Sequence, residues 1–266
     1  MAIPVMARPP LPMGSGRGAR PLDTQQAGVL AWPQRSKEHP MHTTLPAAET
    51  AGRATRWLLL CGVLAPPVLA VFVIAAAAVT PGYSHLSDTV SQLGARGRPH
   101  PEVMNAGFIV YALLLSGFAY GLYRRLGRST GARAIWLLLT ICGLTIILSA
   151  IFQDDSMALG DVTTLEGILH GVFAQIAFFA LVIGMTVFAR VVYLKPEWRC
   201  FTQFSLAVVV LNLVLSLMFL IEVATPVEGA LQRSFFGLSL AWLLAVSLRA
   251  LRPQVCAEYQ DSSPTK

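Results

Sequence analysis

Long apolar runs alternate with short polar connections along this chain. Six such runs are Trp57 to Val79, Val103 to Tyr123, Ala134 to Phe152, Leu165 to Val192, Phe204 to Ile221 and Gly229 to Leu251. Each has at least the roughly 18 to 20 residues needed to cross a ~30 Å hydrocarbon core at about 1.5 Å per residue. Hydrocarbon offers the backbone no hydrogen-bond partners, so runs of this length are expected as helices rather than strands. The expected fold is all-α, a polytopic membrane bundle of six transmembrane helices over residues 56–252, with tails at 1–55 and 253–266.

The connection Thr80 to Glu102, TPGYSHLSDTVSQLGARGRPHPE, is unusually rich in hydrogen-bonding side chains. Leu86, Val90 and Leu93 recur at i, i+4 and i+7 with Ser84, Ser87, Asp88, Ser91 and Gln92 between them, the pattern of a short amphipathic helix. Pro81 and Gly82 break the chain before it, and Gly94 and Gly97 can end it. Its apolar edge would lie in the membrane interface, and its polar edge would face either bulk water or a pocket over the bundle.

Composition agrees with a membrane class: 55% of the residues are hydrophobic and 13% charged, against about 25% charged in soluble domains. The net charge of +6 would suit nucleic acid, but the placement of the charges speaks against it. With the N-terminus inside, 17 of the 20 Lys and Arg fall in cytoplasmic segments, and only Arg96, Arg98 and Arg233 fall outside. This positive-inside asymmetry predicts a cytoplasmic (inner) membrane protein with both termini in the cytoplasm. The expected partner is the lipid bilayer, with no nucleic acid.

Pro4, Pro9, Pro10, Pro12, Pro21, Pro33, Pro40 and Pro46 interrupt an N-terminal segment without apolar period, which reads as disordered. It contains no apolar stretch ahead of a small-residue cleavage site, so no secretory signal is expected. Met41 is an alternative start that would leave Met1 to Pro40 untranslated. Cys61, Cys142, Cys200 and Cys256 avoid the outer loops and form no CxxC pair, so they read as small hydrophobes. The first three spans share no motif with the last three, which gives no sign of a transporter's internal repeat. Gly117 with Gly121, and Gly167 with Gly171, have the spacing that lets two helix backbones approach. Pro66 and Pro67 are expected to kink the first span.

A second polar place lies at the outer end of the fourth span. Glu166 and His170 are four residues apart on one face, with His170 about one turn inside the hydrocarbon boundary. Ionisable groups inside spans usually face the bundle interior or a water-filled cavity. His170 either makes a packing hydrogen bond, to Glu166 or to a carbonyl, or serves a site. Asp154, Asp155, Asn105 and Glu222 occupy the same outer level, so an outward-opening pocket could be built from Asp88, Ser91, Gln92, Asn105, Asp154, Asp155, Glu166 and His170.

PGYSHLSDTVSQLGARG, MNAGFIVYALLLSGFAYGL, FQDD and LEGILHGVFAQIAFF together resemble the bacterial and archaeal membrane family catalogued as domain of unknown function number 998. The resemblance runs from about Arg56 to Leu251. It implies a bundle of about six spans, with Ser91, Leu93 and Gly94 in its S-x-L-G element, Phe152 and Asp155 in its F-x-x-D element, and His170 as the histidine of the fourth span. Gln153 departs from the Pro of relatives, so the resemblance does not define the shape of that turn. It brings no established activity.

Several membrane chemistries can be weighed by residue type. Bis-histidine haem would need two span histidines where only His170 is present, and retinal would need a membrane lysine where Lys37, Lys195 and Lys266 all lie outside the spans. Zinc could draw on His170, Asp155 and Asp88, with Ser91 or Glu166 handling protons, although HExxH and HxxxH are absent. Ser91, His170 and Asp155 would match a hydrolase triad in residue type only. Mid-span polarity, chiefly Asn212, Ser216 and Gln175, is mild for an ion-coupled carrier. The preferred expectation is a ligand-binding or accessory role, with a lipid or small molecule held on the outer side. The alternatives are an intramembrane metal-dependent hydrolase acting on a lipid or lipid-linked substrate, and a small-solute or ion carrier.

Overall fold

The computed structural model describes residues 47–155, 163–221 and 225–252. The tails before Ala47 and after Arg252, the alternative start at Met41, and Asp161 and Glu222 lie outside the described residues. Six helices follow in order: α1 (Ala47–Ala78), α2 (Pro101–Arg125), α3 (Thr130–Ile151), α4 (Leu165–Val192), α5 (Arg199–Leu220) and α6 (Glu228–Leu251). Among the described residues all six are long and apolar enough to cross a membrane, and no strand is present. This is the multi-pass helical bundle that the apolar runs predict. α1 begins well ahead of Trp57 and stays helical through Pro66 and Pro67.

Local chemistry sets the helix ends. Ser129 caps α3 by accepting from the Ala132 amide at 3.2 Å, and Thr164 caps α4 by accepting from the Gly167 amide at the same distance. Pro101 opens α2, where a missing N–H costs nothing. α2 closes through Gly127 at φ 95°, with the Arg128 amide reaching back to the Tyr123 carbonyl at 3.3 Å.

Successive helices pack against one another, and α1 also packs on α6, closing a ring in which α2 touches α6. The α1–α2 seam depends on absent side chains. A Cβ at Gly121 would stand 2.8 Å from the Leu58 Cβ, and one at Gly117 would stand 3.2 Å from the Cys61 Sγ. This glycine pair therefore joins helices within the bundle. The second pair behaves differently: Gly167 lies under the Asp155 carboxylate, while a Cβ at Gly171 would meet nothing within 4 Å.

The connections at 126–129 and 193–198 share one end of the bundle, the basic end, with the C-termini of α2, α4 and α6. There Arg125 donates to the carbonyls of Ala250 at 2.8 Å and Arg252 at 2.7 Å, and Lys195 donates to the Leu126 carbonyl at 3.3 Å. Cations at helix C-termini satisfy orphan carbonyls and oppose the helix dipole. Phe188 packs edge-on against both Trp198 and Trp242, and Trp242 donates its indole N–H to Ser205 at 2.8 Å, pinning α5 to α6. Asn212 is fully buried, accepting from Ser239 at 3.1 Å. Beyond Asn212, α5 has no buried residue.

Candidate functional site

The opposite end of the bundle is closed by residues 79–100, called the cap. Here the structure departs from the expected amphipathic helix: after single turns, only Ser91–Gly94 forms a short 3-10 helix. The reason lies in where the carbonyls go. Those of Leu86 and Ser87 accept from the first amides of α6, at Ala230 (2.9 Å) and Gly229 (3.3 Å). Those of Asp88 and Thr89 accept from the Tyr83 hydroxyl, at 3.3 and 3.0 Å. A continuous helix would need those carbonyls for itself. Val90 and Leu93 are buried within the protein and do not face the membrane interface as expected, whereas Leu86 is 56% exposed.

Arg233 of α6 locks the cap. Its guanidinium donates to the Asp88 carbonyl at 2.7 Å, to the Gly229 carbonyl at 2.9 Å and to the Tyr83 hydroxyl, and stands 5.5 Å from the centre of the Tyr83 ring. Burial pushes the Tyr83 phenol above its ordinary range, so it stays a protonated donor. The Asp88 side chain is engaged within the cap, accepting from the Ser84 amide at 3.0 Å and lying 3.8 Å from Arg98. Gln92 accepts from the Thr89 amide at 3.3 Å, and Asn105 donates to the Gly94 carbonyl at 3.2 Å. A Cβ at Gly94 would collide with Asn105 at 2.2 Å, which accounts for glycine in that element.

The α3–α4 connection docks on the cap. The Arg96 amide donates to the Asp154 carbonyl at 2.9 Å, and the Arg96 side chain pairs with Glu166 in the first turn of α4. Asp155 accepts from the Thr164 amide at 2.7 Å and from the Thr164 hydroxyl at 2.6 Å. These bonds, the hydroxyl's first, hold its carboxyl below the ordinary value of 3.8, with Arg96 adding a smaller pull. Asp155 thus serves as an anionic anchor at the N-terminus of α4.

His170 is buried, and its Nδ1 lies 2.8 Å from the Ser149 carbonyl and 3.0 Å from that of Phe152. Carbonyls only accept, so the geometry assigns a proton to Nδ1; in the neutral tautomer that this defines, Nε2 would be an acceptor. One face of the ring therefore makes a packing bond to α3, and Glu166 takes no part in it. The same residue lines a cavity of about 160 Å³ to which all six helices contribute. Ser91, Ser149, His170 and Gln232 line its capped end, and rings such as Phe108, Tyr111, Phe178 and Phe235 line its body. Gln232 spans cap and cavity, accepting from the Val90 amide at 2.5 Å and donating to the Ser91 hydroxyl at 3.4 Å. Among the described residues, no Asp, Glu, Lys or Arg lines this space.

Residues 63–249 match the family described as Protein of unknown function (DUF998). The chain belongs to that family. No curated protein and no solved structure matches it. In this DUF998 protein the S-x-L-G, F-x-x-D and histidine elements meet at the capped end. Gly94 packs beneath Asn105, the Phe152 carbonyl accepts from His170, Asp155 anchors α4, and Ser91 and His170 line one cavity.

Of the eight residues expected to form an outer pocket, Ser91 and His170 line the cavity. Asp88, Gln92, Asn105, Asp155 and Glu166 make cap and connection contacts instead, and the Asp154 carbonyl joins them. Among the described residues no three His, Cys, Asp or Glu converge as a metal-binding group, and Asp88, Asp155 and His170 each hold other partners. Gln232 and Arg233 were not anticipated. Their signal was present as adjacent polar residues inside the sixth apolar run, which the intramembrane-charge argument would have flagged had Arg233 not been counted with the loop.

Proposed function

We propose that this DUF998 protein binds an uncharged amphiphile inside its helix bundle. The polar head would sit at the capped end against His170 and Gln232, and the apolar body would lie among the aromatic walls. The single observation that carries this reading is the cavity's composition: hydrogen-bonding side chains gathered at the capped end, a mostly apolar and aromatic body broken by Gln175, Ser216 and Ser239, and no Asp, Glu, Lys or Arg among the described lining residues. A few placed polar groups in a mostly apolar hollow make a binding site. A charged head would have no counter-ion there and would carry a heavy desolvation cost. His170 Nε2 offers an acceptor, which suits a head with a hydroxyl or amide donor.

The test uses a short-chain alcohol carrying a diazirine beside its hydroxyl, photolysed with purified protein. Labelling should map to peptides containing His170 or Gln232. In His170→Asn the side-chain amide can still donate to the Ser149 and Phe152 carbonyls while Nε2 is lost. Labelling should then fall about three- to tenfold, the worth of one neutral hydrogen bond, with the folded state retained. Unchanged labelling in a folded variant would rule out the role of Nε2.

Orientation belongs to the same reading. The cap would face away from the cytoplasm of an inner-membrane protein, which the concentration of Lys and Arg at the other end supports. Reporter fusions after Arg98 should report the outer compartment and fusions after Arg128 or Lys195 the cytoplasm; the inverse pattern would reverse the assignment.

A further inference from the structure

We infer that the cavity is loaded sideways from the hydrocarbon core, through a gap between α4 and α5, so that its ligand is a membrane lipid whose tail remains in the bilayer. This rests on the binding reading above and adds both a route and a ligand class.

The gap is visible in the burial of α5. Its buried residues, Thr202, Ser205, Val208, Val209 and Asn212, all precede Leu213, and the rest of the helix carries no fully buried side chain. Ser216 and Phe219, half-buried on that looser part, nevertheless line the cavity. On α4, Gln175 lines the same cavity and is exposed, and one turn away Gly171 is exposed with open space where a Cβ would stand. Cavity-lining residues that are also exposed mark where an internal space reaches the surface. That surface is membrane-facing, because Gln175 lies roughly 15 Å along α4 from Leu165 at about 1.5 Å per residue.

Polarity and size support the route. A carboxamide exposed to hydrocarbon at that depth is costly unless something transiently satisfies it. Gln175 on one rim and the Ser216 hydroxyl on the other can hydrogen-bond a hydroxyl head as it passes through an otherwise apolar wall. The cavity itself is small. Its volume of about 160 Å³ is close to the ~150 Å³ of an engineered apolar cavity that holds benzene. It can take a head and the first few carbons, not a whole lipid. A chain bound there must leave through an opening.

The test compares two probes in phosphatidylcholine proteoliposomes: a long-chain alcohol with a diazirine beside its hydroxyl, and the short-chain version of the same molecule. Ser216→Trp and Gln175→Trp place an indole in the gap, and Val210→Trp, on an exposed part of α5 outside the cavity lining, is the control. In either gap variant, equilibrium labelling of His170 peptides by the long-chain alcohol should fall about tenfold, as for any ligand whose tail has lost its channel. Short-chain labelling should persist, and Val210→Trp should behave as wild type. Full long-chain labelling in both gap variants, or an equal fall for both alcohols, would overturn the lateral route while leaving the cavity as a binding site. Failure of both alcohols to label the wild-type protein would instead overturn the binding reading, and the route with it.

Discussion

Arg233→Met is expected to destabilise the fold by roughly 2 to 4 kcal/mol, the loss of several hydrogen bonds from one charged, half-buried donor. The methionine keeps the apolar stem of the arginine, so the loss isolates the guanidinium. That group joins three places at once, the Asp88 carbonyl, the Gly229 carbonyl and the Tyr83 hydroxyl. Arg233→Lys should recover only part of the loss, because one ammonium cannot reproduce a planar fork. Thermal unfolding in detergent, followed by tryptophan fluorescence, should show a midpoint lowered by about 10 °C, taking roughly 2 to 4 °C per kcal/mol for a chain of this size. A change under about 1 kcal/mol would mean that the cap is held by burial of Val90 and Leu93 and not by this cation.

Gly229→Ala should cost about 2 to 4 kcal/mol, more than simple overpacking usually does. The added Cβ would stand 2.2 Å from the Asp88 carbonyl oxygen and 2.8 Å from both its carbon and the Arg233 Nη1. Backbone cannot swing aside as a side-chain tip can, so the cap itself must move. Moving it breaks the bonds from the Gly229 and Ala230 amides to the Ser87 and Leu86 carbonyls and leaves helix N-terminal donors orphaned. Gly237→Ala is the matching control. A Cβ there meets nothing within 4 Å, so alanine should be neutral or stabilising by up to about 1 kcal/mol, the helix-propensity difference. The double variant Gly229→Ala, Arg233→Met should lose less than the sum of the singles, because both act on the same joint. Additive losses would show two independent attachments.

The residues themselves explain why some of this was legible beforehand and some was not. The apolar runs at Val103 to Tyr123 and Leu165 to Val192 became α2 and α4 with little adjustment, because a span must satisfy its backbone within itself and so carries its own signature. The glycine pair Gly117 and Gly121 was legible as a close approach, but its partner surface at Leu58 and Cys61 was not. Gly167 and Gly171 have the same spacing and do different work, since spacing says nothing about what stands opposite. The spacing of Leu86, Val90 and Leu93 did mark two positions that leave water, but they are buried in the protein and not in the membrane interface. It failed as a helix because α6, about 140 residues further along the chain, competes for the same carbonyls.

By itself, then, the sequence determined the membrane class, the six spans, their approximate limits and the segregation of basic residues to one end. Each of these follows from local transfer free energies and from backbone bonds closed within one segment. Tertiary structure alone decided that the polar connection is a cap, that Asp155 anchors a helix, and that His170 both bonds to α3 through Nδ1 and lines a cavity shared with Gln232. Those outcomes depend on hydrogen bonds between groups 9, 21 and 142 residues apart in the chain, closed by packing and not within one helix. A polar side chain shows in sequence only that it needs a partner; packing chooses which one it gets.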